Sequence, residues 1–184
     1  MKSHILFITV VVAFFWVLLY CLNHIIFRFT ELTPITSLIF IPSGYKIAVV
    51  SVFRIRAWLG LFLGALITGY LFLNGFSWID IVTFSFFSST LPLIAFKLGE
   101  YWISLKSDLS NLRIKHVVLI SLIYAVLNGY FHVTYRYRDL FMRNGIETHE
   151  ILSMMVGDIL GILIAMLILS KLSKFQAIKN YLNK

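Results

Sequence analysis

"MMVGDILGILIAMLILSKL", residues 154–172, is an apolar run broken by one carboxylate, Asp158, with no base beside it until Lys171. Its length approaches the roughly 20 apolar residues that carry a helix through a hydrocarbon core. If water surrounds it, the run is a core helix; if lipid does, Asp158 is a charge at membrane depth. The rest of the chain decides. With 60% hydrophobic and 13% charged residues, and a mean hydropathy of +0.90, the 184 residues hold too little polar surface to coat a water-soluble globule. The chain reads as an integral membrane protein.

Six stretches have the length and apolarity of a span, roughly 5–27, 35–53, 57–74, 77–96, 116–135 and 150–170. They predict an all-α polytopic bundle of six transmembrane helices, a single domain over 1–184 with no soluble catalytic part. The first stretch follows a basic start, Met1-Lys2, but it is too long for a signal peptide and ends in "YCLNHIIF" without a small-residue cleavage pattern. The lone Cys21 makes no internal disulfide.

Bases set the orientation. With a cytoplasmic N-terminus, eleven fall on the inner side: Lys2, Arg54, Arg56, Lys97, Lys106, Arg113, Lys115, Lys171, Lys174, Lys179 and Lys184. Only Arg28, Arg136, Arg138 and Arg143 fall outside, so both termini are expected in the cytoplasm of a bacterial inner membrane. This asymmetry accounts for the net charge of +8 without nucleic acid, for which there is neither recognition helix nor basic groove. Two connections repeat the pattern. Leu98, Trp102, Leu105, Leu109 and Leu112 make an apolar stripe within 97–115, either an amphipathic helix on the inner membrane surface or a prolongation of span four. In the basic tail, 171–184, Leu172, Phe175, Ile178 and Leu182 form a similar stripe that suits anionic lipid or a protein partner.

Small residues recur every fourth position at Gly60, Gly64 and Thr68, and at Ser153, Gly157, Gly161 and Ala165; such faces mark close helix packing, within one chain or between copies in an oligomer. Pro92 is expected to bend span four. In span two, Thr33-Pro34 looks like a capped helix start, and "FIPSGYK" then interrupts the span: Pro42 removes a hydrogen bond, Gly44 weakens the helix and Lys46 brings a charge to depth. Irregular backbone of this kind survives only against protein or a wet cavity.

Counted from the outer ends of their spans, Lys46 and Asp158 lie at comparable depth. Each alone costs about 2.5–3.5 kcal/mol at a helix centre, and opposed charges offset much of that, so an intramembrane ion pair between spans two and six is expected. The alternatives are a protonated Asp158 bonded to a backbone carbonyl and a Lys46 that snorkels outward. Asn128, His132 and Arg136, four apart on span five, mark a ligand- or partner-binding side, with Pro42 and Gly44 opposite. Asn23, His24, His149 and Glu150 extend this into an outward polar vestibule, and the outer arginines make it attractive to small anions.

Catalytic signatures are missing: no nucleophile elbow, no HExxH, no phosphate-cradling loop and no cysteine cluster. His24 and His132 on one side, with His4 and His116 on the other, sketch a two-haem arrangement, but the 16 residues from His116 to His132 span about 24 Å of helix, which does not suit it. No enzyme activity, metal or cofactor is expected.

The run "IFIPSGYKIAVVSVFRIRAWLGLFLGALI", residues 39–67, resembles the W-x-P-x-G helix and following basic–Trp–Gly segment of the bacterial membrane-associated sensor domains of the MASE class, first type. "VGDILGILI", 156–164, resembles the Gly-Asp-x-x-Gly segment of that family's last helix. The resemblance implies an inner-membrane sensory or protein-contacting module, and makes Pro42, Gly44, Trp58, Gly60, Gly157, Asp158 and Gly161 family-like positions; Phe40 stands where the family has tryptophan. The family has about eight helices and feeds a cytoplasmic kinase or cyclic-dinucleotide domain, so output here would need a separate partner. A second class is a small-solute transporter or substrate-binding membrane subunit, with "LGLFLGALI" and "LGILIAMLI" as traces of inverted three-helix halves whose middle helices break at Pro42-Ser43-Gly44 and Asn128-Gly129.

Overall fold

The structure, a computed structural model, describes residues 2–105, 113–137 and 148–182. Of the residues singled out above, Lys106, Leu109, Leu112, Arg138, Arg143 and Lys184 lie outside them, as do the side chains of Leu172, Phe175, Ile178 and Leu182.

The fold is all-helical apart from one small hairpin: α1 (Lys2–Phe27), β1 (Glu31–Thr33), β2 (Thr36–Ser37), α2 (Pro42–Phe53), α3 (Trp58–Phe72), α4 (Trp78–Ile103), α5 (Ile114–Arg136) and α6 (Thr148–Leu182). Among the described residues five helical segments are long and apolar enough to cross a membrane: His4–Thr30, Pro42–Phe72, Trp78–Ile103, Lys115–Arg136 and Thr148–Ile168. Their outward faces carry bare apolar side chains such as Leu6, Phe7, Val10, Ile67 and Leu71, a surface that suits lipid rather than water.

The expected second span, 35–53, divides differently. Residues 31–37 form the antiparallel hairpin, with Pro34 in its turn, so Thr33-Pro34 does not start a helix. Pro42 does, occupying the first turn of α2, where its missing N–H and fixed φ cost nothing. The proline read as an interruption is therefore a start signal. α2 runs back along α1: Asn23 bonds the backbone at Ile39 and Ile41, and the Tyr45 hydroxyl donates to the Val12 carbonyl at 2.9 Å. α3 then runs with α1, setting Gly60 against Val12, and Gly64 and Thr68 against Trp16. The reversal takes one 3₁₀ turn, Arg54–Ala57, entered through Arg54 at φ 55°.

The remaining helices alternate in direction. Ser77 and Asp80 cap α4 reciprocally, and the helix continues through Pro92. α4 runs antiparallel to α3, with Ile81 against Gly69, and α5 antiparallel to α4, with Ile120 against Gly99. α5 is unbroken through Asn128-Gly129, so the interruption expected for the second of two inverted halves is not there. α6 returns beside α5 and closes on 37–44 through Gly157, Gly161 and Ala165. Val12, Trp16, Ile47, Val50, Leu61, Ile120, Tyr124 and Ile162 form the core between them.

The non-helical stretch 38–41 tests whether irregular backbone can live here. Its donors are met: Leu38 N–H by the Thr30 carbonyl at 3.0 Å, Phe40 N–H by the Gly157 carbonyl at 3.2 Å and Ile41 N–H by Asn23 Oδ1 at 3.0 Å. Asn23 Nδ2 in turn donates to the Ile39 carbonyl at 3.3 Å. Asn23, expected in a vestibule, clamps this backbone and also lines the cavity described below.

Candidate functional site

α2 enters the bundle with two polar side chains on one face, Ser43 and Lys46, three residues apart. Both are buried, Lys46 to 2% exposure, and Asp158 faces them from α6 at 1%. The expected Lys46–Asp158 ion pair does not form. Ion pairs among the described residues include His24–Glu31, Arg54–Glu100 and Arg136–Glu150, and Lys46 and Asp158 are not within ion-pair distance. Asp158 Oδ1 accepts from the Ser43 hydroxyl and Oδ2 accepts from Asn128 Nδ2 at 2.7 Å, so its oxygens are occupied by neutral donors. Lys46 instead donates to the Tyr124 hydroxyl at 2.8 Å and sits 4.8, 5.5 and 5.8 Å from the ring centres of Trp16, Tyr124 and Phe40. Ring faces supply negative potential to an ammonium without a carboxylate. What spacing could not show is that Ser43, one turn before Lys46, reaches the acid first.

Lys46 lines a cavity of about 100 Å³ bordered by α1, the hairpin and α2 to α5, with Met154 from α6. Trp16, Phe40 and Phe84 give it aromatic walls, and Thr68, Ser85, Ser88, Asn128 and His132 bring polar atoms to it. Its other end is ringed by His24, Glu31 and the hairpin residues Thr33 to Ser37. His24 Nδ1 and Glu31 Oε1 are 2.7 Å apart there. Asp158 is not on the wall: it stands behind Ser43 and Asn128.

The three expected residues of α5 part company. Asn128 and His132 reach the cavity; Arg136 does not, and bonds Glu150 at 2.9 Å. His132 donates through Nδ1 to the Asn128 carbonyl at 3.0 Å and stacks on Phe84, with ring centres 5.6 Å apart. Pro42 and Gly44 are packing residues: a Cβ on Gly44 would overlap that of Ala165. Gly60, Gly64, Gly157 and Gly161 pack as expected, though the partners of the last two are the Ser37 and Phe40 carbonyl groups rather than another helix.

Glu150 was placed in the vestibule from sequence, and its role is more specific. Its Oε1 accepts from Thr33 Oγ1 at 2.9 Å, Thr36 Oγ1 at 3.0 Å and Arg136 Nη1, which ties the hairpin to α5 and α6. Tyr124 was missed, yet it stands one turn before Asn128, so the stripe 128, 132, 136 extended back by four residues finds it. Trp16 carried no sequence signal; one tryptophan in an apolar span looks like any other. Among the described residues no group of three or more His, Cys, Asp or Glu could hold a metal ion.

Compared with protein-family models, with characterised proteins and with solved structures, the chain finds no match.

Proposed function

We propose that this chain is a sensor-like module of a bacterial inner membrane, which binds a small ligand in the cavity above Lys46 and conveys its occupancy to a partner protein. In this reading the chain crosses the bilayer six times, the second time as the stretch 38–41 plus α2, with both termini cytoplasmic. The observation that carries it is a buried ammonium on a cavity wall, held by aromatic rings and a phenol and touching no carboxylate. Asp158 attracts it from behind Ser43 without bonding it, which leaves Lys46 N–H donors for a ligand.

Two further features support the reading. The hairpin that rims the cavity is bonded through Glu150 to α6, so a ligand that moves the hairpin shifts the helix that continues to Leu182. The stretches that resemble a MASE-class sensor domain, 39–67 and 156–164, also touch: Phe40 bonds Gly157, and Gly44 lies against Gly161.

The test is thermal unfolding of the protein in nanodiscs against a mixed library of neutral, anionic and cationic small solutes. At least one solute should raise the unfolding midpoint, and Ser88→Phe, which fills the cavity, should abolish the effect. Accumulation of that solute in proteoliposomes made from this chain alone would replace sensing with transport.

A further inference from the structure

Resting on the cavity reading above, we infer that the ligand is a small carboxylate that also carries a hydroxyl or amino donor. The charge pattern gives the first half. Among the described residues Lys46 is the one lysine or arginine on the cavity wall, and Asp158, off the wall, is bonded to the lining residue Asn128 and to Ser43. His24 is paired with Glu31 at the other end, and Arg136 is bonded to Glu150 away from the wall. Among the described residues the end of the cavity away from Glu31 therefore presents one positive charge, Lys46, with N–H donors beyond the one given to Tyr124. One ammonium suits a monoanion; a phosphate dianion calls for more charge or a fork of donors, which this wall lacks.

The hydrogen-bond inventory gives the second half. The Trp16 indole N–H is spent on Thr68 Oγ1 at 3.2 Å. The Thr68 and Ser85 hydroxyl hydrogens go to the Gly64 and Ile81 carbonyls at 3.1 and 2.7 Å. The Ser85 oxygen and the remaining lone pair of Thr68 Oγ1, both on residues of the cavity wall, are therefore left as acceptors. Asn128, 1% exposed, gives its Nδ2 to Asp158 and leaves Oδ1 buried without a partner. A buried acceptor without a donor is costly, and a ligand hydroxyl or amine would relieve that cost. A wall with one cationic donor and surplus acceptors is complementary to a short hydroxy or amino acid.

The experiment measures affinities for the intact protein in nanodiscs, by calorimetry and by Trp fluorescence, using L-lactate, L-alanine, propionate, inorganic phosphate and tetramethylammonium. Lactate or alanine should bind at least tenfold more tightly than propionate, which lacks the donor, and Lys46→Met should remove binding. If Lys46→Met does not fold, Ser88→Phe serves as the blocked control. Phosphate binding as tightly as lactate or alanine, propionate binding as tightly, or binding unchanged in Lys46→Met each overturns the inference. So does silence from all the carboxylates. If tetramethylammonium or a neutral solute then binds and Ser88→Phe stops it, only the ligand class falls and the cavity reading stands; failure of the whole mixed library removes both.

Discussion

Two glycine seams look alike in the sequence and behave differently in the fold. Gly60 and Gly64 let α3 lie against α1, helix on helix, where an added Cβ would meet Thr9 and Val12 or the side chain of Trp16. Gly157 and Gly161 let α6 press on non-helical backbone, where an added Cβ would overlap the Ser37 and Phe40 carbonyl oxygens. The first seam is a packing surface whose partners are partly mobile side chains. The second is a socket for non-helical backbone, and its partners include main chain that already serves in hydrogen bonds. Identical four-residue spacing thus marks helix packing in one place and shelter for irregular backbone in the other.

The largest effect should come from Gly161→Leu, which drives a side chain into backbone that has nowhere to go; a loss of about 4 kcal/mol or more is expected, read as absence of a monodisperse peak in detergent chromatography. Asp158→Ala comes next. It strips the acceptor from the Ser43 hydroxyl and the Asn128 amide, and should cost about 3 kcal/mol in reversible unfolding in mixed micelles, whereas Asp158→Asn should recover part of that. Gly64→Ala should cost only about 1–2 kcal/mol, because the atoms it meets belong to Trp16, and adding Trp16→Phe should restore some of the loss. No such second-site relief is expected for Gly161→Leu; a suppressor at Trp16 would erase the distinction between the seams. The smallest effect, about 1 kcal/mol or less, is expected for Glu150→Gln, which weakens the tie between the hairpin and α6. It should show less in stability than in faster proteolytic nicking near Pro34.

The helices were legible because apolar runs of about 20 residues have few other uses. The hairpin was not: "ELTPITS" holds two strands of three and two residues, too short for an alternation signal, and its proline mimics a helix start that belongs to Pro42 eight residues later. The polar centre was half legible. Lys46, Asn128, His132 and Asp158 stand out because a charge or amide in an apolar span is expensive, and all four converge. Ser43 and Tyr124 did not stand out, since hydroxyls are common in membrane helices, and they decide which atoms Lys46 and Asp158 touch. Arg136 failed as a cavity residue because periodicity gives the side of a helix and not the neighbour awaiting it; Glu150 takes it first.

The bond from the Phe40 amide to the Gly157 carbonyl has a consequence for biosynthesis. Its acceptor emerges from the ribosome long after its donor, so the Phe40 amide, alone among the donors of 38–41, has no partner until α6 is made. A chain stopped after α5 would lack both that acceptor and the Gly157 and Gly161 surface that covers residues 37–40, so the way into α2 is completed only by the last helix.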